Sequence, residues 1–112
     1  MSMNTDVLIV GAGPAGLSLA ISLAQAGLQA TVLELQGESQ LAQPAPDGRE
    51  IALTHPSVQI LQRLGTWGRL QDHEIGTIRD AIVHDGPVGL RSTLDIVSDG
   101  SGADYLGRIV PN

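Results

Sequence analysis

The chain has 112 residues, enough for one domain with a modest core, and its formal charge of −6 leaves no basic face with which to neutralise a nucleic acid. Cysteine is absent, which excludes disulfides and thiolate metal sites. Phenylalanine is also absent and Trp67 and Tyr105 are the sole aromatic residues, so the core must be aliphatic.

The first apolar run, Val7-Leu8-Ile9-Val10, predicts a strand, and Gly11-Ala12-Gly13-Pro14-Ala15-Gly16 follows it at once. Leu17, Ala20, Ile21, Ala24 and Leu28 then recur at helical spacing, with Ser18, Ser22, Gln25 and Gln29 as a narrow polar stripe. A helix apolar over most of its circumference suits packing on a parallel sheet, and Gly27 is its expected stop. Ala30 to Leu35 reads as a second, parallel strand with Glu34 near its end.

Strand, glycine turn, helix, strand and terminal acid in this order make a site for the pyrophosphate and ribose of a dinucleotide. Gly11 allows the tight turn, Gly13 lets the backbone approach the pyrophosphate, and Gly16 lets the helix lie close to the sheet. Ala12 and Ala15 belong to the same phosphate turn. Pro14 fits an early helical position, where no amide hydrogen bond is lost. Free amides in the first helical turn favour an anion. Glu34 would accept hydrogen bonds from the ribose hydroxyls, and its charge would repel a 2′-phosphate. The adenosine half is therefore expected to be unphosphorylated, as in FAD or NAD. Alternatives stay open: a purely structural glycine turn, or a solvated strand-end acid at Glu34.

No charged residue lies between Asp6 and Glu34, a pattern that a signal peptide or membrane span could share. The missing basic n-region and the interrupting glycines, proline, serines and glutamines argue against both. A cytoplasmic location follows as the expectation.

From Gln36 to Gln40 and from Pro44 to Gly48 the residues favour loop and turn. Order is expected to resume at Arg49 to Thr54. Thr54 is a candidate N-cap, with Pro56 in the first turn of an amphipathic helix carrying Val58, Ile60, Leu61, Leu64 and Trp67 and ending near Gly65 or Gly68. Ile75 to His84 and Val88 to Val97 read as two strands of an antiparallel hairpin, joined at Asp85-Gly86-Pro87. Ser98 to Ala103 reads as a loop, and Tyr105 to Val110 as a last short strand. His55, at a helix start, is expected to cap or face solvent rather than a ligand. His73 and His84 lack partners at metal-binding spacing, and no metal site is expected.

GAGPAG, Glu34, the stretch DGREIALTHPSVQILQRLGTWGRL, a strand pair and LGRIVPN together resemble the opening of an FAD-dependent aromatic-ring hydroxylase, a class A flavoprotein monooxygenase, and more narrowly the ubiquinone-biosynthesis hydroxylases. Asp47 to Trp67 is the specific part of that resemblance. The fold it implies is α/β: a Rossmann-like FAD-binding βαβ unit with parallel strands, then a helix and an antiparallel hairpin. Residues 1–112 would form the N-terminal part of an FAD-binding domain. Within them, 1–35 would be the dinucleotide motif, 36–72 a loop and helix, and 73–112 a hairpin with the start of the next segment.

The function implied is hydroxylation of a polyprenylated quinol or phenol, with demethoxyubiquinol as one possibility, using FAD, oxygen, and NADH or NADPH as a transient reductant. Gly11, Ala12, Gly13, Pro14, Ala15 and Gly16 match the family's phosphate turn and Glu34 its ribose contact. Arg49 matches the arginine near the FAD phosphates or ribityl chain; pairing of Arg49 with Asp47 or Glu50 on the surface is the alternative. A polyprenyl substrate implies peripheral contact with the inner membrane, and a homodimer or biosynthetic complex is left open.

The resemblance spans this whole chain but only the N-terminal part of the much longer family proteins. Their second motif, a Gly-Asp pair at the pyrophosphate, has no equivalent here. An isolated piece of this length is expected to bind FAD weakly without turnover. Two other readings are carried: a flavin or NAD oxidoreductase without oxygen insertion, such as a prenyl reductase, and a non-catalytic FAD-binding fragment.

Overall fold

A computed structural model describes residues 4–87, 93–98 and 104–112. The chain divides into two compact units, one ending at Pro46 and one beginning at Asp47. The described residues are mixed α/β, with one parallel strand pair and two antiparallel sheets.

In the first unit, strand β1 (Val7–Val10) leads through the glycine turn into helix α1 (Pro14–Gln25) and back to strand β2 (Ala30–Leu33). β1 and β2 pair in parallel, with Ile9 opposite Val32 and Val10 opposite Leu33. Alternation along β1 sends Ile9 toward α1, where it is buried, and leaves Leu8 and Val10 exposed on the other face. Gly27 adopts a left-handed φ of 82° just past α1, and the Leu28 N–H returns to the Leu23 carbonyl at 3.0 Å. The segment read as loop contains a short helix, α2 (Glu38–Ala42). The side chain of Gln40 accepts the Gly37 N–H at 3.2 Å, so a glutamine satisfies a helix end that lacks any Ser, Thr or Asp cap.

The second unit opens with strand β3 (Glu50–Leu53) and helix α3 (His55–Leu64). Thr54 caps α3 by accepting the Ser57 N–H at 3.3 Å, and Gly65 ends it at φ 80°. Trp67 lies in a separate 3₁₀ turn, Trp67–Arg69, rather than on α3, and is half-buried. A second such turn spans Asp72–Glu74.

The expected single strand from Ile75 to His84 is instead two strands, β4 (Gly76–Ile78) and β5 (Asp80–His84), in different sheets. β5 pairs with β6 (Thr93–Val97) in antiparallel register, as the hairpin reading expects. β4 pairs with β7 (Gly107–Pro111), which also pairs with β3 and so forms the centre of a three-stranded sheet. The break falls at Arg79, whose carbonyl accepts the Ser98 N–H at 3.1 Å, while the Ile78 carbonyl accepts the Leu106 N–H at 2.7 Å. Backbone partners on either side of Arg79 thus come from two different segments, which separates the strands. The expected start of β6 at Val88 and most of the Ser98 to Ala103 loop lie outside the described residues.

Among the described residues the buried hydrophobic side chains are Ile9 and Ala12 in the first unit and Val110 of β7 in the second, all aliphatic. Among the described residues no helix is long and apolar enough to cross a membrane.

Candidate functional site: the glycine turn and Glu34

The turn between β1 and α1 requires two of its glycines, each for a different reason. Gly11 has φ 103°, a left-handed conformation that side chains resist. Gly16 approaches the strand end so closely that a Cβ would lie 2.1 Å from the Gly11 carbonyl oxygen. At Gly13 neither constraint holds: the backbone is extended, with φ −76° and ψ 179°, and a Cβ would meet nothing within 4 Å. Packing among the described residues therefore does not require this glycine, and the space beside its backbone is open to an external group.

Gly13 is the N-cap of α1 and offers no side chain to it; Pro14 follows as the first helical residue. The first intrahelical bond is Leu17 N–H to the Gly13 carbonyl at 2.9 Å. The amides of Ala15 and Gly16 thus lie in the first helical turn without intrahelical acceptors, at the positive end of the helix dipole. Ala12 is buried, while Gly13, Pro14 and Ala15 are exposed. An exposed backbone of this kind is chemically suited to a pyrophosphate.

Glu34 follows directly on β2, and its carboxylate reaches back to the turn. Oε2 accepts the Ala12 N–H at 2.7 Å, and Oε1 accepts the N–H groups of Leu35 at 2.8 Å and Gln36 at 3.2 Å. These backbone donors, Ala12 foremost, hold the carboxyl below its ordinary range, so Glu34 carries its charge at neutral pH. Gly11 N–H to the Leu33 carbonyl, at 2.8 Å, ties the same two chain ends together. The structure therefore brings Gly11 to Gly16 and Glu34 into one neighbourhood.

Arg49 lies in the second unit, just before β3, and pairs with Asp47. Its Nη2 is 2.7 Å from Oδ2, and its Nε donates to the same oxygen at 2.7 Å. Asp47 also accepts the Arg49 N–H at 2.8 Å and the Asn112 side-chain amide at 3.1 Å. The Arg49 contacts, followed by Asn112, pull the Asp47 carboxyl down from 3.8 to about 2. Surface pairing with Asp47 was one of two open readings of this arginine, and it is present. The part played by Asn112 has no signal in the sequence, because the residue comes from the far end of the chain.

His55 differs from the expectation of a capping or solvent-facing residue. Its ring lies 4.6 Å from that of Tyr105, and Nε2 donates to the Tyr105 carbonyl at 2.9 Å. The Arg108 guanidinium stands 4.3 Å from the Tyr105 ring centroid, a cation–π contact, and bonds the Thr77 hydroxyl. Spacing along the chain could not reveal this cluster, because strand pairing creates it. Among the described residues no group of His, Asp and Glu is arranged to hold a metal ion.

Residues 4–101 match the family described as FAD binding domain. The chain belongs to that family. This FAD-binding domain is 46% identical, over 114 residues covering 100% of the chain, to the ubiquinone hydroxylase UbiM of Neisseria meningitidis serogroup C / serotype 2a, of which it spans 25%. It is 40% identical over 68 residues, 60% of the chain and 17% of the relative, to the 3-demethoxyubiquinol 3-hydroxylase of Escherichia coli K12. It is also 42% identical over 65 residues, 58% of the chain and 15% of the relative, to the 6-hydroxy-3-succinoylpyridine 3-monooxygenase HspB of Pseudomonas putida S16. The FAD-binding domain thus spans a quarter or less of each of these relatives.

Proposed function

We propose that the chain is the nucleotide-binding part of an FAD-dependent monooxygenase that hydroxylates the ring of a polyprenylated quinol or phenol in ubiquinone biosynthesis. The observation that carries this reading is the 46% identity to a ubiquinone hydroxylase along the whole chain. Bound FAD, reduced by NADH or NADPH, supplies oxygen activation and transfer of one oxygen atom to the ring.

The chain's own residues bind and orient that cofactor. In this reading β1, α1 and β2 form a Rossmann-like unit, and Gly11, Ala12, Gly13, Pro14, Ala15 and Gly16 surround the pyrophosphate, with first-turn amides of α1 donating to it. Glu34 takes the ribose. A carboxylate has about four acceptor sites, and three of them already receive the N–H groups of Ala12, Leu35 and Gln36. The free site on Oε2 suits a single ribose hydroxyl. Arg49 is assigned to the FAD phosphates or ribityl chain.

The test uses the full-length protein. Purified, it should be yellow, with NAD(P)H oxidation that rises with a phenolic or quinol substrate and consumes oxygen. Protein that stays colourless after reconstitution with FAD would overturn the reading. Turnover without oxygen would move it to an oxidoreductase that inserts no oxygen.

A further inference from the structure

A long arginine side chain at an exposed position ordinarily samples many rotamers, and ordering it costs entropy whenever it binds. Arg49 is 74% exposed yet held in place. Asp47 Oδ2 takes both Nε and Nη2, the side edge of the guanidinium, while Oδ1 takes the backbone N–H of the same residue. Asp47 is fixed in turn. The Asn112 side chain donates to Oδ2 at 3.1 Å, and the Asn112 N–H donates to the Arg49 carbonyl at 3.0 Å. Glu50 pairs with Pro111 at this end of the β3–β7 ladder, so the hydrogen-bond ring closes over the last rung of a sheet.

The opposite edge of Arg49 is unused. Nη1 with both its hydrogens, and the second hydrogen of Nη2, have no partner among the described residues. Two parallel N–H groups on the outer edge of a guanidinium match two oxygens of a phosphate.

We propose that Asp47, locked by Asn112, is a positioning residue that presents the outer Nη1–Nη2 edge of Arg49 to an anionic oxygen pair of FAD. The inference rests on the functional reading above, in which Arg49 meets the FAD phosphates or ribityl chain. Because Asp47 neutralises the arginine, the pair contributes directed hydrogen bonds rather than long-range attraction. An arginine without Asp47 would keep its charge and lose its aim.

A double-mutant cycle on the full-length apoprotein tests this, with FAD affinity read from quenching of flavin fluorescence and thermal denaturation as the control for folding. Asp47→Asn keeps the shape of the side chain and should weaken FAD binding by about fivefold, the upper range for an exposed pair. Arg49→Ala should weaken it further, and the double variant should bind no worse than Arg49→Ala alone. Asn112→Ala should give a smaller loss that likewise vanishes when Arg49 is absent. The positioning role is overturned if Asp47→Asn leaves affinity unchanged or tightens it, which would make Asp47 a competing counter-ion. It is also overturned if the losses add in the double variant, as a structural role predicts. Wild-type protein without affinity for FAD would remove the functional reading as well. Wild-type binding that Arg49→Ala leaves unaltered would remove only the assignment of Arg49 and this inference.

Discussion

Glu34 accepts the Ala12 N–H at 2.7 Å across 22 residues of sequence, and so fastens the end of β2 to the glycine turn after β1. The bond fixes where the turn's amides point, and it keeps the carboxylate charged beside them. Glu34→Ala should speed hydrogen–deuterium exchange at Ala12 while the β1–β2 ladder, which also has the Gly11 to Leu33 bond, stays protected. FAD affinity of the full-length protein should fall about tenfold, the loss of one charge-assisted contact. Unchanged exchange at Ala12 would show that the carboxylate does not hold the turn in solution.

Gly16 and Gly13 should separate stability from binding. A Cβ at Gly16 would meet the Gly11 carbonyl at 2.1 Å, so Gly16→Ala must push α1 away from the strand end. The expected cost is about 1–3 kcal/mol, read as a lower midpoint in thermal or urea unfolding. Gly13 has an ordinary extended backbone and open space around its Cβ position. Gly13→Ala should leave the unfolding midpoint nearly unchanged and weaken FAD binding. Equal stability losses in the two variants would contradict this division.

Asp47 supplies a pH dependence whose sign can be worked out. Its folded-state value is depressed from 3.8 to about 2, so the unfolded chain binds the proton more readily. The stabilisation is present above 3.8 and is lost as pH falls toward about 2. Asp47→Asn should flatten that part of the stability curve without changing its neutral region in shape. Unfolding midpoints measured across this acid range for both proteins decide the matter.

Thr54 caps α3 through Oγ1, which accepts the Ser57 N–H at 3.3 Å. Thr54→Ala should cost about 1 kcal/mol of stability in chemical denaturation, and Thr54→Ser should restore most of it. A serine variant as weak as the alanine one would place the loss in the methyl group instead.

Much of this architecture was legible residue by residue. Val7 to Val10, Gly27, Thr54 and Gly65 mark element ends by local chemistry: an apolar run bounded by glycine, a left-handed helix stop, a hydroxyl cap. Arg79 shows where such reading stops. Nothing in the alternation of Ile75 to His84 announces a break, because the break arises from the separate backbone partners contributed by Ser98 and Leu106. The short α2 helix is hard to read for a different, local reason: its N-terminus is satisfied by the Gln40 side chain, a weak signal within a run of loop-forming residues.

The sequence by itself determined the strand, glycine turn, helix and second strand of the first unit, because glycine spacing, helix periodicity and a strand-end acid are all local or nearly local patterns within one β–α–β passage. Tertiary structure alone decided what the polar side chains do once placed. It gave the Glu34 carboxylate three backbone donors, set His55 against Tyr105, and brought Asn112 to Asp47 across 65 residues. Hydrogen bonds of that span depend on which strands pair and in what register, and a strand's own residues leave its partner unspecified.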